Sequence, residues 1–279
     1  MSNNKQVNLL KLKPTELLEG FLADYNSLHK IDIEKSRTLI KQTFAFYKNK
    51  TEAPDYVKKL QDKWYEKYDY SVYDDEYYFT DLWACWSLYS RNYVLSAKKN
   101  KSIYNFLKNN ITSIVDLGCG IGYSTAMLKQ IFLDAEVYGT NLATTKQYSF
   151  CSQMGSIYDF KIREKVKDIN KKIDLVFASE YFEHIEDAVD NVKEVIETLK
   201  PKCLFLANSF NTKSVGHFIT YKQKNPDNFS IECYDQSVAS RKFNKAIRNL
   251  GYVSVKTGLW NNKPRLWIKS NIEHNYDQQ

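Results

Sequence analysis

Three glycines and an acid stand together in IVDLGCGIGYST, residues 114–125. An apolar run ends in Asp116, and Gly118, Gly120 and Gly122 follow in alternation with other residues. A turn of this kind lets a ligand approach the backbone with no Cβ in the way. The G-x-G-x-G spacing departs from the G-x-G-x-x-G of dinucleotide sites, because Tyr123 stands where the third fingerprint glycine belongs. Asp116 discriminates further. A carboxylate two residues ahead of the first glycine repels a pyrophosphate at close range and attracts an ammonium group. S-adenosylmethionine carries an amino-acid end, an adenosine and no phosphate, so these residue types favour it over NAD.

A second group with chemical potential lies in ASEYFEHIED, residues 178–187. Glu180, Glu183 and His184 are spaced i, i+3 and i+4, which places all three on one face if a helical turn starts here. Downstream, NSFNTKSVGHF brings His217 into a segment able to reach the same place. An unperturbed imidazole titrates near neutrality, so His184 and His217 are candidate general bases.

The elements that must position these residues alternate. Strand patterns cover Ile111–Leu117, Glu136–Thr140, Phe160–Glu164, Ile173–Ser179 and Cys203–Ala207, with helical patterns between them. Ala188, Val192, Val195, Ile196 and Leu199 recur at helical spacing until Pro201 closes the segment. After a helix over Ser237–Leu250, two strands at Tyr252–Leu259 and Arg265–Lys269 are joined by a short turn around Asn261–Pro264, which requires an antiparallel pair. The expectation is an α/β fold: a Rossmann-like, doubly wound, mostly parallel seven-stranded sheet with an antiparallel last strand, preceded by a helical N-terminal region. The predicted division is 1–105 for that helical region, 106–270 for the sheet domain and 271–279 for a frayed tail. Both candidate groups then fall at the carboxyl edge of the sheet, where open α/β folds bind ligands.

At these motifs the chain resembles the class I S-adenosylmethionine-dependent methyltransferases, over roughly Ile111 to Lys269. VDLGCGIGYST matches the first motif of that family. KIDLVFASEYFEHIED, with LKP and ANSFN after it, resembles the subgroup that includes the ubiquinone-biosynthesis O-methyltransferases. Two departures stand out: Lys202 and Cys203 replace a usual glycine pair, and Asn141 replaces the acid that commonly takes the ribose hydroxyls. The resemblance implies cofactor contacts along Asp116, Gly118, Cys119, Gly120, Asn141, Leu142 and Ser179. The E-x-x-E-H run with a later histidine also resembles the divalent-metal site of two branches of the family, the ubiquinone enzymes and the small-RNA ribose methyltransferases. It implies magnesium or manganese on Glu180, Glu183, His184 and His217, orienting neighbouring substrate oxygens and lowering a hydroxyl pKa.

Composition narrows the acceptor. The net charge of +7 comes from 40 basic and 33 acidic residues with no block of like charge, so there is no evident phosphate track. The D/N-P-P-Y tetrapeptide of base-amine methylating enzymes is replaced by ASEY. A small or medium-sized hydroxylated acceptor is therefore favoured over nucleic acid, with an RNA ribose hydroxyl as the alternative and a catalytically inactive cofactor-binding partner as another. Five unpaired cysteines and no export or membrane-spanning pattern predict a reduced, cytoplasmic setting. The aromatic face of Glu76–Lys99 (Phe79, Leu82, Trp83, Trp86, Tyr89, Tyr93) is expected to pack on the sheet domain or to wall the pocket. Residues 208–235, with Asn208, Asn211 and Tyr221, are expected to be a long polar-aromatic insert contacting substrate.

Overall fold

A computed structural model describes residues 6–225, 227–259 and 264–272. Its strands are β1 (Ser113–Leu117), β2 (Glu136–Thr140), β3 (Lys161–Arg163), β4 (Leu175–Ser179), β5 (Cys203–Ala207), β6 (Thr220–Lys224), β7 (Ile231–Asp235), β8 (Tyr252–Val255) and β9 (Arg265–Lys269). Seven of them form one sheet in the order β3-β2-β1-β4-β5-β9-β8. Only β9 runs against its neighbours, pairing Phe205 with Leu266 on one side and Ser254 with Trp267 on the other. The doubly wound sheet with an antiparallel last strand is thus observed. β1, β4 and β5 read as apolar runs because both faces of a parallel sheet are covered, and nearly every residue in them is buried. Strand order reverses between β1 and β4, so Asp116 near the carboxyl end of β1 and Ser179 at that of β4 lie at the switch point, where open α/β sheets bind ligands.

The helical N-terminal region comprises α1 (Pro14–His29), α2 (Ile33–Tyr47), α3 (Asp55–Lys67), α4 (Tyr78–Cys85), α5 (Arg91–Lys99) and α6 (Lys101–Asn110). It shares a core with the sheet. Phe21 lies 5.0 Å from Trp83 between ring centres, Trp83 5.0 Å from Trp86, and Trp86 5.2 Å from Tyr123 on the helix that follows the glycine turn, α7 (Tyr123–Ile131). Stacked and tilted aromatics at such distances add to the gain from burial. The expected packing of the aromatic face of Glu76–Lys99 is therefore present, with one difference. The segment is not a continuous α-helix: the Arg91 N–H reaches back five residues to the Trp86 carbonyl, inserting a wide turn over Trp86–Ser90 between α4 and α5.

Residues 208–235 also differ from expectation. Part of the supposed loop is the hairpin β6-β7, in which Tyr221 pairs with Tyr234. These tyrosines are the only buried residues of the two strands, so the alternation that betrays a half-buried strand is missing from the sequence. The turn expected around Asn261–Pro264 lies mostly outside the described residues, as does most of the tail from 271. Among the described residues no helix is long and apolar enough to cross a membrane.

Phe79 is fully buried on α4 against Phe21 and Tyr25. Phe79→Ala is expected to cost about 3–5 kcal/mol, read as a lower midpoint of one denaturant transition. A biphasic curve in which only the first phase moves would separate the helical region from the sheet.

Candidate functional site

The glycine turn is built as its residue types require. Gly118, Gly120 and Gly122 all adopt left-handed φ, at 64°, 55° and 93°, a region where a Cβ is strained. The Cys119 N–H donates to the Thr140 carbonyl at 3.0 Å, tying the turn to the end of β2. Asp116 is buried and accepts two bonds on Oδ2, from the hydroxyls of Ser124 at 2.6 Å and Thr125 at 2.7 Å. Burial still outweighs those bonds and pushes its carboxyl up to about 7. The Asn141 amide is spent on the turn itself: Nδ2 donates to the Gly120 carbonyl at 2.6 Å, and Oδ1 accepts the Leu142 N–H at 2.8 Å. The thiols of Cys119 and Cys151 touch at 3.4 Å, both unbridged.

A cavity of about 80 Å³ lies over this turn. Asp116, Gly118, Cys119 and Gly120 line it from one side, and Ser179, Glu180, His184 and His217 from the other. Asn141 and Leu142 are not among its lining residues. The roof comes from the helical region, with Tyr47, Asp81, Leu82, Cys85 and Trp86. Two side chains rest on the glycines: a Cβ on Gly118 would collide with the Tyr181 ring, and one on Gly120 would meet Leu82 at 3.1 Å. A larger open groove of about 860 Å³ lies beyond Ile185, between Tyr70 and Phe229. It holds none of the candidate residues, and its rim of Glu186, Asp187, Lys222 and Lys224 is that of a solvated surface.

Beside the cavity the acids and imidazoles converge. Glu180 follows β4 in a left-handed conformation, φ 52°, the kind of strain that accumulates at functional positions. It therefore stands outside the single 3₁₀ turn Phe182–His184, which replaces the helical turn expected from the spacing. Ser209 joins the two carboxylates, its hydroxyl donating to Glu180 at 3.2 Å and its N–H to Glu183 at 2.5 Å. The Asn208 amide, turned with its nitrogen toward Glu183, donates at 3.1 Å. Glu183 is fully buried, and burial together with the neighbouring Glu180 holds its carboxyl well above the usual range. One ligand atom each from Glu180, Glu183 and His217 lie within 4.8 Å of one another.

The two imidazoles are fixed differently. His217 Nδ1 sits 2.8 Å from the Thr212 carbonyl, so it must carry the proton, and Nε2 keeps its lone pair. Burial pushes this imidazole down to about 4. His184 stands outside the three-residue cluster. Its Nδ1 meets the Tyr73 hydroxyl at 2.9 Å and its ring packs against that of His217 at 4.6 Å. Burial lowers it as well. Gly216, φ 84°, passes so close that a Cβ would strike both His184 Nδ1 and the Tyr73 hydroxyl.

Sequence reasoning missed Asp81. It lies on α4 within YYFTDLWACW, and an acid inside so apolar a run was the available signal. Asp81 Oδ1 accepts the Tyr47 hydroxyl at 3.3 Å, that hydroxyl also contacts Ser214 at 3.0 Å, and burial pushes the carboxyl up to about 7. The raised value means that the native state favours protonated Asp81. Stability from that preference is complete below about pH 4 and is lost as the pH rises through 7. Asp81→Asn, which keeps the neutral form, should match the wild type near pH 4 and melt higher at pH 8, by on the order of 4 kcal/mol at most. A variant that melts lower at both pH values would reveal a counter-charge for ionised Asp81.

A sequence family described as a methyltransferase domain matches residues 88–257, more than half of the chain. The match is to the family as a whole and does not single out the ubiquinone-biosynthesis branch. No curated protein matches the sequence. Among solved structures the chain is similar to the sugar N-methyltransferase KedS8 from Streptoalloteichus sp, at 13% identity over 63% of this chain and 86% of that one, TM-score 0.44. It is also similar to CalS10, an amino pentose methyltransferase from Micromonospora echinaspora solved with S-adenosylmethionine bound, at 12% identity over 62% and 91%, TM-score 0.43. Streptomyces venezuelae DesVI matches at 10% identity over 63% and 91%, TM-score 0.45. With the family matched over most of the sheet and the glycine turn set beside Asp116, the chain belongs to the methyltransferase-domain family and is a class I S-adenosylmethionine-dependent methyltransferase.

Proposed function

We propose that the protein methylates a hydroxyl oxygen of a small or medium-sized acceptor, with a divalent cation held by Glu180, Glu183 and His217. The observation that carries this reading is the convergence of those three ligand atoms within 4.8 Å beside the cofactor turn. Two carboxylates with one imidazole suit magnesium or manganese. The donor set fits such an ion: Glu180 and Glu183 repel each other without a cation or a proton between them, and His217 is neutral with Nε2 available. The Thr212 carbonyl behind His217 and Ser209 behind both carboxylates are the outer contacts that orient ligands. His184, tied to Tyr73, holds the shape of the site from behind His217. Both imidazoles are depressed by burial, which favours neutral ligand and positioning roles over that of a base.

S-adenosylmethionine supplies a methyl group on a sulfonium that is its own leaving group, and a divalent ion would lower the pKa of the attacking hydroxyl. The chain's task is alignment, which supplies up to ~7–11 kcal/mol in the best intramolecular cases. In this reading Asp116 takes the methionine ammonium, supported by its position in the cavity wall, and Gly118 and Gly120 leave the backbone open to the ligand. The cavity of about 80 Å³ is far below the roughly 300 Å³ at which ligand pockets begin. Tyr181 and Leu82 must therefore withdraw from the glycines when the donor enters. No lysine or arginine is among the described residues that line the cavity, so an acceptor reached through phosphate contacts, RNA included, is disfavoured.

Thermal-shift measurements should show stabilisation by S-adenosylmethionine and S-adenosylhomocysteine and none by NAD. Stabilisation by NAD alone would overturn the choice of ligand. Mn²⁺ titrated into Glu183→Gln should bind at least about tenfold more weakly than to the wild type, with S-adenosylhomocysteine affinity essentially unchanged. Equal Mn²⁺ binding would remove the cation from the mechanism.

A further inference from the structure

The cavity holds more acids than the reading above employs. Asp116 answers the methionine ammonium, and Glu180 and Glu183 share the cation. Asp81 is left over. It is only 3% exposed, and its Oδ2 has no hydrogen-bond partner. A buried carboxylate that ionises needs a partner of opposite charge, and none stands nearby: its ionisation is governed by burial and the single Tyr47 bond. A second group in the same wall is also unmatched. Trp86 Nε1, five residues along, is buried with no acceptor, although its side chain lines the same cavity. An unmatched acceptor and an unmatched donor thus belong to two residues that line one cavity, and together they describe what should fill it. The ligand offers a cation or strong donor to Asp81 and an oxygen to Trp86. The rings of Tyr47, Tyr78 and Trp86 around that space also suit an ammonium group.

We propose that Asp81 and Trp86 form the acceptor's anchoring subsite, and that the acceptor is an amino alcohol: a hydroxylated molecule that also carries a protonated aliphatic amine. Asp81 receives the ammonium and Trp86 Nε1 donates to a neighbouring oxygen, leaving another hydroxyl to face the methyl donor. This rests on the methyltransfer reading for its reaction, though not for its binding chemistry. Asp81 sits on the helical region, and Tyr47 links it to Ser214 in the segment that carries His217. The subsite and the cation cluster are thus two ends of one acceptor pocket.

Calorimetric titration of the protein loaded with S-adenosylhomocysteine tests this with three two-carbon probes: 2-aminoethanol, ethylene glycol and glycolate. The amine is expected to bind at least about tenfold more tightly than the glycol, with no binding of glycolate. Asp81→Asn should bring the amine down to the level of the glycol without changing S-adenosylhomocysteine affinity, and Trp86→Phe should weaken both neutral and cationic probes. Equal affinity for amine and glycol in the wild type, no binding of either, or undiminished amine binding by Asp81→Asn overturns the proposal. The wild-type contrast needs no variant to fold. Should S-adenosylhomocysteine fail to load, the methyltransfer reading falls by itself, and the amine–glycol contrast in the unloaded protein still decides the role of Asp81.

Discussion

The constraint on which this molecule turns is the burial of carboxyl groups without basic residues to neutralise them. Asp81, Asp116 and Glu183 are almost wholly out of contact with water, and desolvation raises all three. Elsewhere the chain pairs its acids in the ordinary way. Glu136 is held down to about 2 by Lys161 and Lys171 at an accessible place on the sheet. The difference is one of location: lysines decorate the outside, and none lines the cavity. Burying carboxyls in this manner disfavours their charged forms, which is why all three shift toward protonation.

The helical region takes part in this site through polar tips on apolar bodies. Trp64 on α3 is fully buried, yet its indole N–H donates to the His217 carbonyl at 2.7 Å. Tyr70 donates to the His184 carbonyl at 2.8 Å, and Tyr65 to the Ser214 carbonyl at 3.2 Å. Trp64 and Tyr65 contribute apolar area to the core, and all three heteroatoms fix backbone positions near a candidate ligand. The high aromatic content of the chain, 15%, thereby acquires a purpose beyond filling volume. The segments that bear the imidazoles are a single 3₁₀ turn and a loop, and these bonds give them the rigidity a ligand site needs.

Much of this architecture was legible in the residues. Apolar runs gave the central strands, with Glu136–Thr140, Cys203–Ala207 and Arg265–Lys269 placed to the residue, because strands buried on both faces write their burial directly into composition. The cofactor turn was equally legible, since glycine takes three successive left-handed positions with the least strain. Legibility failed where the determining partner lies far along the chain. Asn141, expected at the ribose, was not foreseen to donate its amide to the Gly120 carbonyl. His184 looked like a metal ligand by spacing, and the left-handed Glu180 changed the face it shares. Asp81 carried no motif, because its meaning comes from strands that begin more than thirty residues later. The hairpin β6-β7 was hidden for a related reason: one inward tyrosine per strand is too little to establish a period.

The wide turn at Trp86–Ser90 has a consequence for how this fold tolerates change. A helix advances about 100° per residue, and a wide turn of this kind takes up one residue more than an α-helical turn without passing that rotation on to its flanks. Asp81 and Leu82 thus keep their place in the cavity roof while Arg91–Lys99 keeps its seat on α7. Loss of one residue there would be met by closing to an ordinary helical turn, so this stretch tolerates a change of length that elsewhere in the helix would rotate the roof.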